Sequence, residues 1–536
     1  MQGRRTRVSA VAFLATVAAT LAAFVLPGAA TSAPPGCANR TNTTYQTLLE
    51  CVTLEGVRAH QQEFQDIADA NDDEFYPDTR AAGTEGYAES VEYVAGLLED
   101  AGYNVTLDEF PFQFSFPAIL RQLTPAPAAD YETGAFTNSG FGDVTGNVIP
   151  VDINLVPPRA TTSGCDGNFT EAAVGAPIVP DPGGPDDFAG FAAGSIALIQ
   201  RGGCSFGLKA TNAQSAGAAA LIIFNQGNSP DREALIVGTV SPATPTIPVV
   251  GASFADGALL ARPGSTARVR VLATETRTDV NVIAELPGNN PNNVVMAGAH
   301  LDSVTEGPGI NDNGSGSAAI LETALMMAKV KPQNTLRFAW WGAEEEGLVG
   351  STAYVAEQVA NGGIDDIALY LNYDMIGSPN YVFFVYDGDN SDATGAPAGP
   401  PGSKEIEDVY EAYYTSRGIP YKGTDFSGRS DYGPFITPAV NIPSGGLFTG
   451  AEGLKTAAEA TTWGGTAGAQ YDPCYHIACD TFAGTGSGAG STAPGRGLIA
   501  LEVNSDLIAY AQLTFAFSTE TVNDVPGRPV PGSSAP

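Results

Sequence analysis

Apolar residues along this chain follow three rhythms, and the places where the rhythm changes divide it into parts. From 55 to 102 they recur at helical spacing, first as Val57, Phe64 and Ile67 and then, after a break, as Tyr93, Val94, Leu97 and Leu98, with Gly102 as a stop. The next ten residues, 103–112, alternate apolar and polar side chains, which predicts a strand. Between about Ala118 and Thr276 proline and glycine become frequent and helix signals thin out, leaving short β-rich runs at 148–155, 195–200, 219–224 and 246–250. This predicts an inserted, mainly β domain over 118–277. From Thr278 onward strand-like runs (280–286, 293–298, 335–341, 367–373) alternate with helical ones such as 315–329. That alternation predicts an α/β fold on a mixed, mostly parallel sheet flanked by helices, made from two segments, 34–117 and 278–519. A last helix is expected over 502–517, and 520–536 reads as a disordered tail.

The first 33 residues read as an export signal. Arg4, Arg5 and Arg7 precede an apolar run, and Thr31, Ser32 and Ala33 suit cleavage after Ala33. A membrane anchor fits less well, because small residues interrupt the run. No later segment has 18 unbroken apolar residues, so the mature protein is expected outside the cell, free of the membrane and monomeric. Six cysteines agree with an oxidising destination. They form three pairs close in sequence, Cys37 with Cys51, Cys165 with Cys204 and Cys474 with Cys479, although proximity alone does not fix connectivity. With 59 acidic against 25 basic residues the net charge is -34, which argues against a nucleic-acid partner and reads most simply as a solvated, self-repelling surface.

The candidate chemistry concentrates at predicted strand ends. His300 and Asp302 follow one strand, Glu344 and Glu345 the next, Asp374 a third. Ligands in open α/β sheets bind beyond the carboxyl ends of strands, so these distant residues can converge. The segment CYHIAC (474–479) adds His476, the third histidine of the chain, in a loop that its cysteines can close. Imidazole with carboxylate suits zinc, and this set exceeds the needs of one ion. It suits two metals about 3.5–4 Å apart. A glutamate that is not a ligand would still be needed as base. His60 has no acidic pattern around it and reads as structural; Glu346 reads as a surface acid, Trp340 and Trp341 as core and wall. Asp312 has a competing role as N-cap of the helix near Ser315. The glycine-rich stretch 307–316 lacks the lysine of a phosphate loop.

Two family resemblances rest on these residues. The stretch 196–226, with a strand, the turn RGGCSF (201–206), a helix carrying Lys209 and a second strand, resembles the protease-associated (PA) domain. In that family it looks like a lid or access element with no chemistry of its own. HLDS (300–303), GINDNGSG (309–316), WWGAEE (340–345), NYDMIG (372–377) and YH (475–476) resemble, in order, the motifs of the secreted dizinc aminopeptidases of peptidase family M28, the Streptomyces and Vibrio leucine-aminopeptidase type. That resemblance implies two zinc ions per chain, His300 and Asp374 on one, Glu345 and His476 on the other, and Asp312 bridging both. It implies Glu344 as base for a water between the metals, Asp302 as the group orienting His300, and Tyr475 as donor to the oxyanion. A Tyr475 that is only a core phenol stands beside that role. Arg429 in SGRSDYG (427–433) and Phe448 in GGLFTG (445–450) look like substrate-binding elements. Glu502 and Asp506 resemble calcium-binding positions of the Streptomyces-type enzymes, with a plain helix-surface reading equally open.

The expected reaction is removal of N-terminal, Leu-like residues from peptides or proteins with a free N-terminus. Three other functions remain open: a carboxypeptidase, a glutaminyl cyclase of the same fold, and a non-catalytic binding ectodomain. The cyclase uses one zinc and the ectodomain predicts missing ligands, so the complete ligand set favours neither.

Overall fold

The computed structural model describes residues 34, 36–161, 163–165, 186–487 and 495–533; the export signal expected over 1–33 lies outside them. Two sheets carry the chain. The larger has eight strands in the order β1 (Asn104–Phe114), β9 (Glu275–Leu286), β11 (Asn334–Trp341), β10 (Asn290–His300), β12 (Ile367–Tyr373), β15 (Ser444–Phe448), β13 (Phe384–Tyr386), β14 (Lys422–Thr424). Its centre, β11-β10-β12-β15, is parallel, and antiparallel β9 and β1 extend one side. β12 is buried at every position and β10 from Asn293 to its end. These central strands therefore read as unbroken apolar runs, because helices cover both faces of a parallel sheet.

The covering helices are placed by caps and by one close approach. Thr53 accepts from the Gly56 N–H to start Leu54–Ala70, and Thr84 accepts from the Tyr87 N–H to start Glu85–Ala101, which Gly102 closes at φ 98°. Helix Gly314–Met327 presses on the end of β12 so closely that a Cβ on Gly316 would lie 2.0 Å from the Tyr373 carbonyl. Only glycine allows this contact.

The second sheet has seven strands, ordered β3 (Ala129–Tyr131), β2 (Ile119–Thr124), β8 (Thr266–Val271), β4 (Gly142–Val151), β5 (Ile196–Gln200), β6 (Ala220–Phe224), β7 (Val249–Ala252). It leaves the larger sheet after β1 and returns just before β9. β5 and β6 are wholly buried and form its core with helices Phe206–Ser215 and Phe254–Leu260. Disulfides join Cys37 to Cys51, Cys165 to Cys204 and Cys474 to Cys479.

The expectation of a disordered tail over 520–536 is corrected for its described part, 520–533. Glu520–Asn523 forms a helical turn, Val522 and Val530 are buried in the main core, and Asn523 donates to Asn293 at 2.8 Å. The short apolar residues spaced through this polar segment anchor it against the sheet, a signal too sparse for periodicity to register.

Candidate active site

All the proposed ligands lie at the carboxyl edge of the four parallel strands or in loops that fold over it. His300 ends β10 and is 1% exposed. Its Nδ1 is 3.0 Å from the Asp302 carbonyl and 3.6 Å from the Asp302 carboxylate, so the carbonyl is the nearer acceptor and Nε2 is turned toward the site. The Asp302 carboxylate instead accepts from the backbone N–H groups of Glu344 and Glu345, both at 3.2 Å. It thereby ties the turn after β11 to the end of β10.

His300 Nε2 faces Asp312 Oδ1 at 3.1 Å and Asp374 Oδ1 at 3.4 Å. His476 Nε2 faces Glu345 Oε2 at 3.1 Å and the other Asp312 oxygen at 3.3 Å. Two ligand triads result, His300–Asp312–Asp374 and Asp312–Glu345–His476, each with ligand atoms within 4.8 Å of one another. Asp312 belongs to both, facing each with a different oxygen. Distance alone would also admit Glu344, which falls in range of His300 and Glu345. The two triads sharing Asp312 nevertheless use every other ligand once and leave Glu344 over.

This donor set fits divalent metal. Glu345 Oε1 and Asp374 Oδ1 are buried with no hydrogen-bond partner, a costly arrangement unless a cation completes it. Burial would raise the Asp312 carboxyl, but the two imidazoles outweigh it and hold the group below the ordinary carboxylate range. Glu344 is 8% exposed, and burial, reinforced by Asp431, Asp374 and Glu345 against the opposite pull of His300, holds its carboxyl well above the ordinary range.

The surroundings hold these groups in place. Asp312 does not cap the helix; Asn313 does, accepting from the Gly316 N–H at 3.0 Å. The Asn313 side chain also donates to the Tyr373 carbonyl and accepts from the Met375 N–H, which brings the Asp374 turn against the Asp312 segment. Asp480, next to Cys479, accepts from the N–H groups of Asn311 and Asp312 at 2.7 and 2.9 Å. Ser430 donates to Asp374 Oδ2 at 2.6 Å, leaving Oδ1 for the site. Ala343, Leu348, Met375 and His476 all have positive φ, between 52° and 58°. Each costs about 1–3 kcal/mol, and their clustering marks a place where geometry outranks local stability.

Among residues that pattern alone did not single out, Arg80 lies deepest. It is fully buried and donates to the carbonyls of Leu301, Pro308 and Gly309, with its guanidinium 4.9 Å from the Phe64 ring centre. Arg80→Met strips three carbonyls of their donor, and stability is expected to fall by at least about 3 kcal/mol. Chemical denaturation reads the change; a loss below about 1 kcal/mol would mean that segment 301–309 finds other donors.

The triads open into a cavity of about 480 Å³ lined by Met375, Tyr386, Arg429, Phe448 and Tyr475 among others. Tyr475 stacks on His476 with ring centres 3.8 Å apart. Arg429 donates to Glu452 at 2.8 Å and to the Tyr475 hydroxyl at 3.1 Å. A guanidinium can only donate, so the Tyr475 hydroxyl accepts there and its own proton is free for the cavity. Phe448 stacks on Phe384 in the wall. Glu346 is exposed, Trp340 and Trp341 are core, and His60 pairs with Tyr93 and Glu322 away from the site. Glu502 and Asp506 gather no third acidic or imidazole ligand among the described residues, and Asp506 instead bonds Tyr413 and faces Arg417.

Paired triads of candidate metal ligands at strand ends, opening into a lined cavity, fit a metal-dependent hydrolase. Residues 281–489 match the model of peptidase family M28, and 144–260 that of the PA domain. An aminopeptidase of Pseudomonas aeruginosa is 45% identical over 486 residues, 89% of this chain and 83% of that protein. Leucine aminopeptidase 2 of Trichophyton equinum is 36% identical over 498 residues, 92% and 89% of the two chains. The fold is also that of a zinc aminopeptidase from Bacillus subtilis, at 23% identity and TM-score 0.52, covering 85% of this chain and 93% of that one. The chain belongs to peptidase family M28 and is a metallo-exopeptidase with an inserted PA domain.

Proposed function

We propose that this M28 peptidase is a secreted dizinc aminopeptidase that removes large apolar residues such as leucine from the free N-terminus of peptides. The observation that carries the reading is Asp312, whose two oxygens face two separate imidazoles, so that one carboxylate serves two triads. His300, Asp374 and Asp312 would hold one ion, and Glu345, His476 and Asp312 the other. Zinc, when bound, supplies polarisation of the scissile carbonyl and a lowered pKa for water.

The chain's own residues do the rest. Glu344 takes the proton of the attacking water at its carboxylate and returns it to the leaving amine nitrogen. The freed Tyr475 hydroxyl donates to the oxygen that becomes negative as the carbonyl carbon turns tetrahedral. Glu344 and Asp374 hold the substrate's α-ammonium group, which sets the reaction at the first peptide bond. Phe448, with Met375 and Tyr386, gives the first side chain an apolar wall. A carboxypeptidase would need a cationic side chain for a terminal carboxylate; among the described residues Arg429 is the one arginine or lysine lining the cavity, and it already pairs with Glu452 and the Tyr475 hydroxyl. Export agrees with the three disulfides, which leave no cysteine free, and no helix among the described residues is long and apolar enough to cross a membrane.

The test is a peptide panel with free and acetylated N-termini, read by mass spectrometry. Stepwise loss of N-terminal residues from free peptides alone is expected, and cleavage of acetylated ones would overturn the reading. Elemental analysis should find about two zinc ions per chain. Chelation should abolish hydrolysis of Leu-p-nitroanilide and zinc should restore it; turnover that survives complete removal of metal would contradict the assignment.

A further inference from the structure

Next to the catalytic cavity lies a second concavity that the reaction as described does not use. It is a groove of about 600 Å³ between helix Val349–Asn361 and the segment after Tyr432. Thr352, Ala356 and Val359 face it from the helix at helical spacing, and Pro434, Thr437 and Val440 from the opposite side. Val359 is 50% exposed. Among the described residues no charged side chain lines the groove.

Groove and cavity are neighbours. Gly347, Leu348 and Gly428 line both. A Cβ built on Gly347 or on Gly428 would meet nothing within 4 Å, so the ridge between the two concavities is low and open at its two glycines. Leu348, at φ 58°, stands on this ridge with its side chain against Gly433. Such a saddle lets an extended backbone pass from one concavity into the other.

We infer that the groove binds the part of a peptide substrate that follows its first residue, and that it selects apolar over charged side chains there. The inference rests on the aminopeptidase reading. An apolar side chain entering the groove sheds water against apolar walls, whereas a charged one loses hydration and finds no partner. The enzyme would then read more of the peptide than the residue it removes. Extended chain advances about 3.3 Å per residue, so a scan of positions two to five covers the ridge and the groove beyond it.

The experiment uses the full, zinc-loaded protein, Leu-p-nitroanilide, and peptides of Leu followed by glycines in which Phe or Asp is moved from position two to five. At one or more positions kcat/KM should favour Phe over Asp by about tenfold. Ala356→Trp, which fills the groove, and Ala356→Lys, which offers the Asp side chain a partner, should both erase that preference. Turnover of Leu-p-nitroanilide should stay within about twofold, because this substrate does not reach the groove. A flat panel, or a preference that survives both variants, overturns the inference. So does sedimentation showing a wild-type dimer that Ala356→Lys dissociates, which would give the groove to a second copy of the chain. Loss of Leu-p-nitroanilide hydrolysis in the wild-type protein would be a different result, removing the aminopeptidase reading itself.

Discussion

Glu344→Gln is expected to lower kcat by about 100- to 10,000-fold while leaving the metal content unchanged, because the amide has the shape of the carboxylate and cannot take a proton. The turn that carries Glu344 is held independently of its side chain: its N–H and that of Glu345 bond to Asp302, and Gly347 and Leu348 both return their N–H groups to the Glu344 carbonyl. The substitution should therefore leave Glu345 where it is. Stability gives a second readout. Burial, with repulsion from Asp431, Asp374 and Glu345, outweighs the attraction of His300 for the Glu344 carboxylate, so neutralising it relieves a net penalty, and the metal-free variant should unfold at the same temperature as the wild type or higher. A merely structural glutamate would show the opposite pair, unchanged turnover and lower stability. Full activity in the variant would remove Glu344 from the role of base.

Much of this site is legible from sequence because ligand chemistry restricts residue type. His300, Glu345 and Asp374 each follow an apolar run whose burial on both faces makes it recognisable as a central strand, and His476 stands out as one of three histidines in the chain. What escapes are residues defined by approach instead of type. Asp312 and Asn313 are adjacent and both are good caps, so spacing cannot say which one turns to the helix and which to the metals. Arg80, Asp480 and Ser430 act on segments far away in sequence, and nothing around them announces a partner. The face formed by Thr352, Ala356 and Val359 has the spacing of a helix stripe that packs inward; in the fold it borders an open groove. The tail escaped for a related reason, since two buried valines among polar and proline residues make no periodic pattern.

Asp312→Asn probes the feature that carries the functional reading. In the wild type, Oδ1 faces His300 and Oδ2 faces His476, while the backbone of Asn311 and Asp312 is fixed by Asp480. The amide fills the same space but keeps a single acceptor oxygen, and its NH2 side would point hydrogens at one of the two triads. One ion loses a ligand and its neutralising charge, and the two ions lose the anion between them. Metal content is expected to drop from about two per chain to one or fewer, and kcat/KM by more than about 100-fold, since even outer partners of metal ligands cost 10–100-fold when removed. The contrast with Glu344→Gln matters here, because that variant should lose turnover and keep its metal, whereas this one should lose both. A single-metal enzyme would behave differently again, with one ion before and after the substitution. Two ions retained in Asp312→Asn would show that each triad holds its metal without the shared carboxylate, and the bridging role would fall.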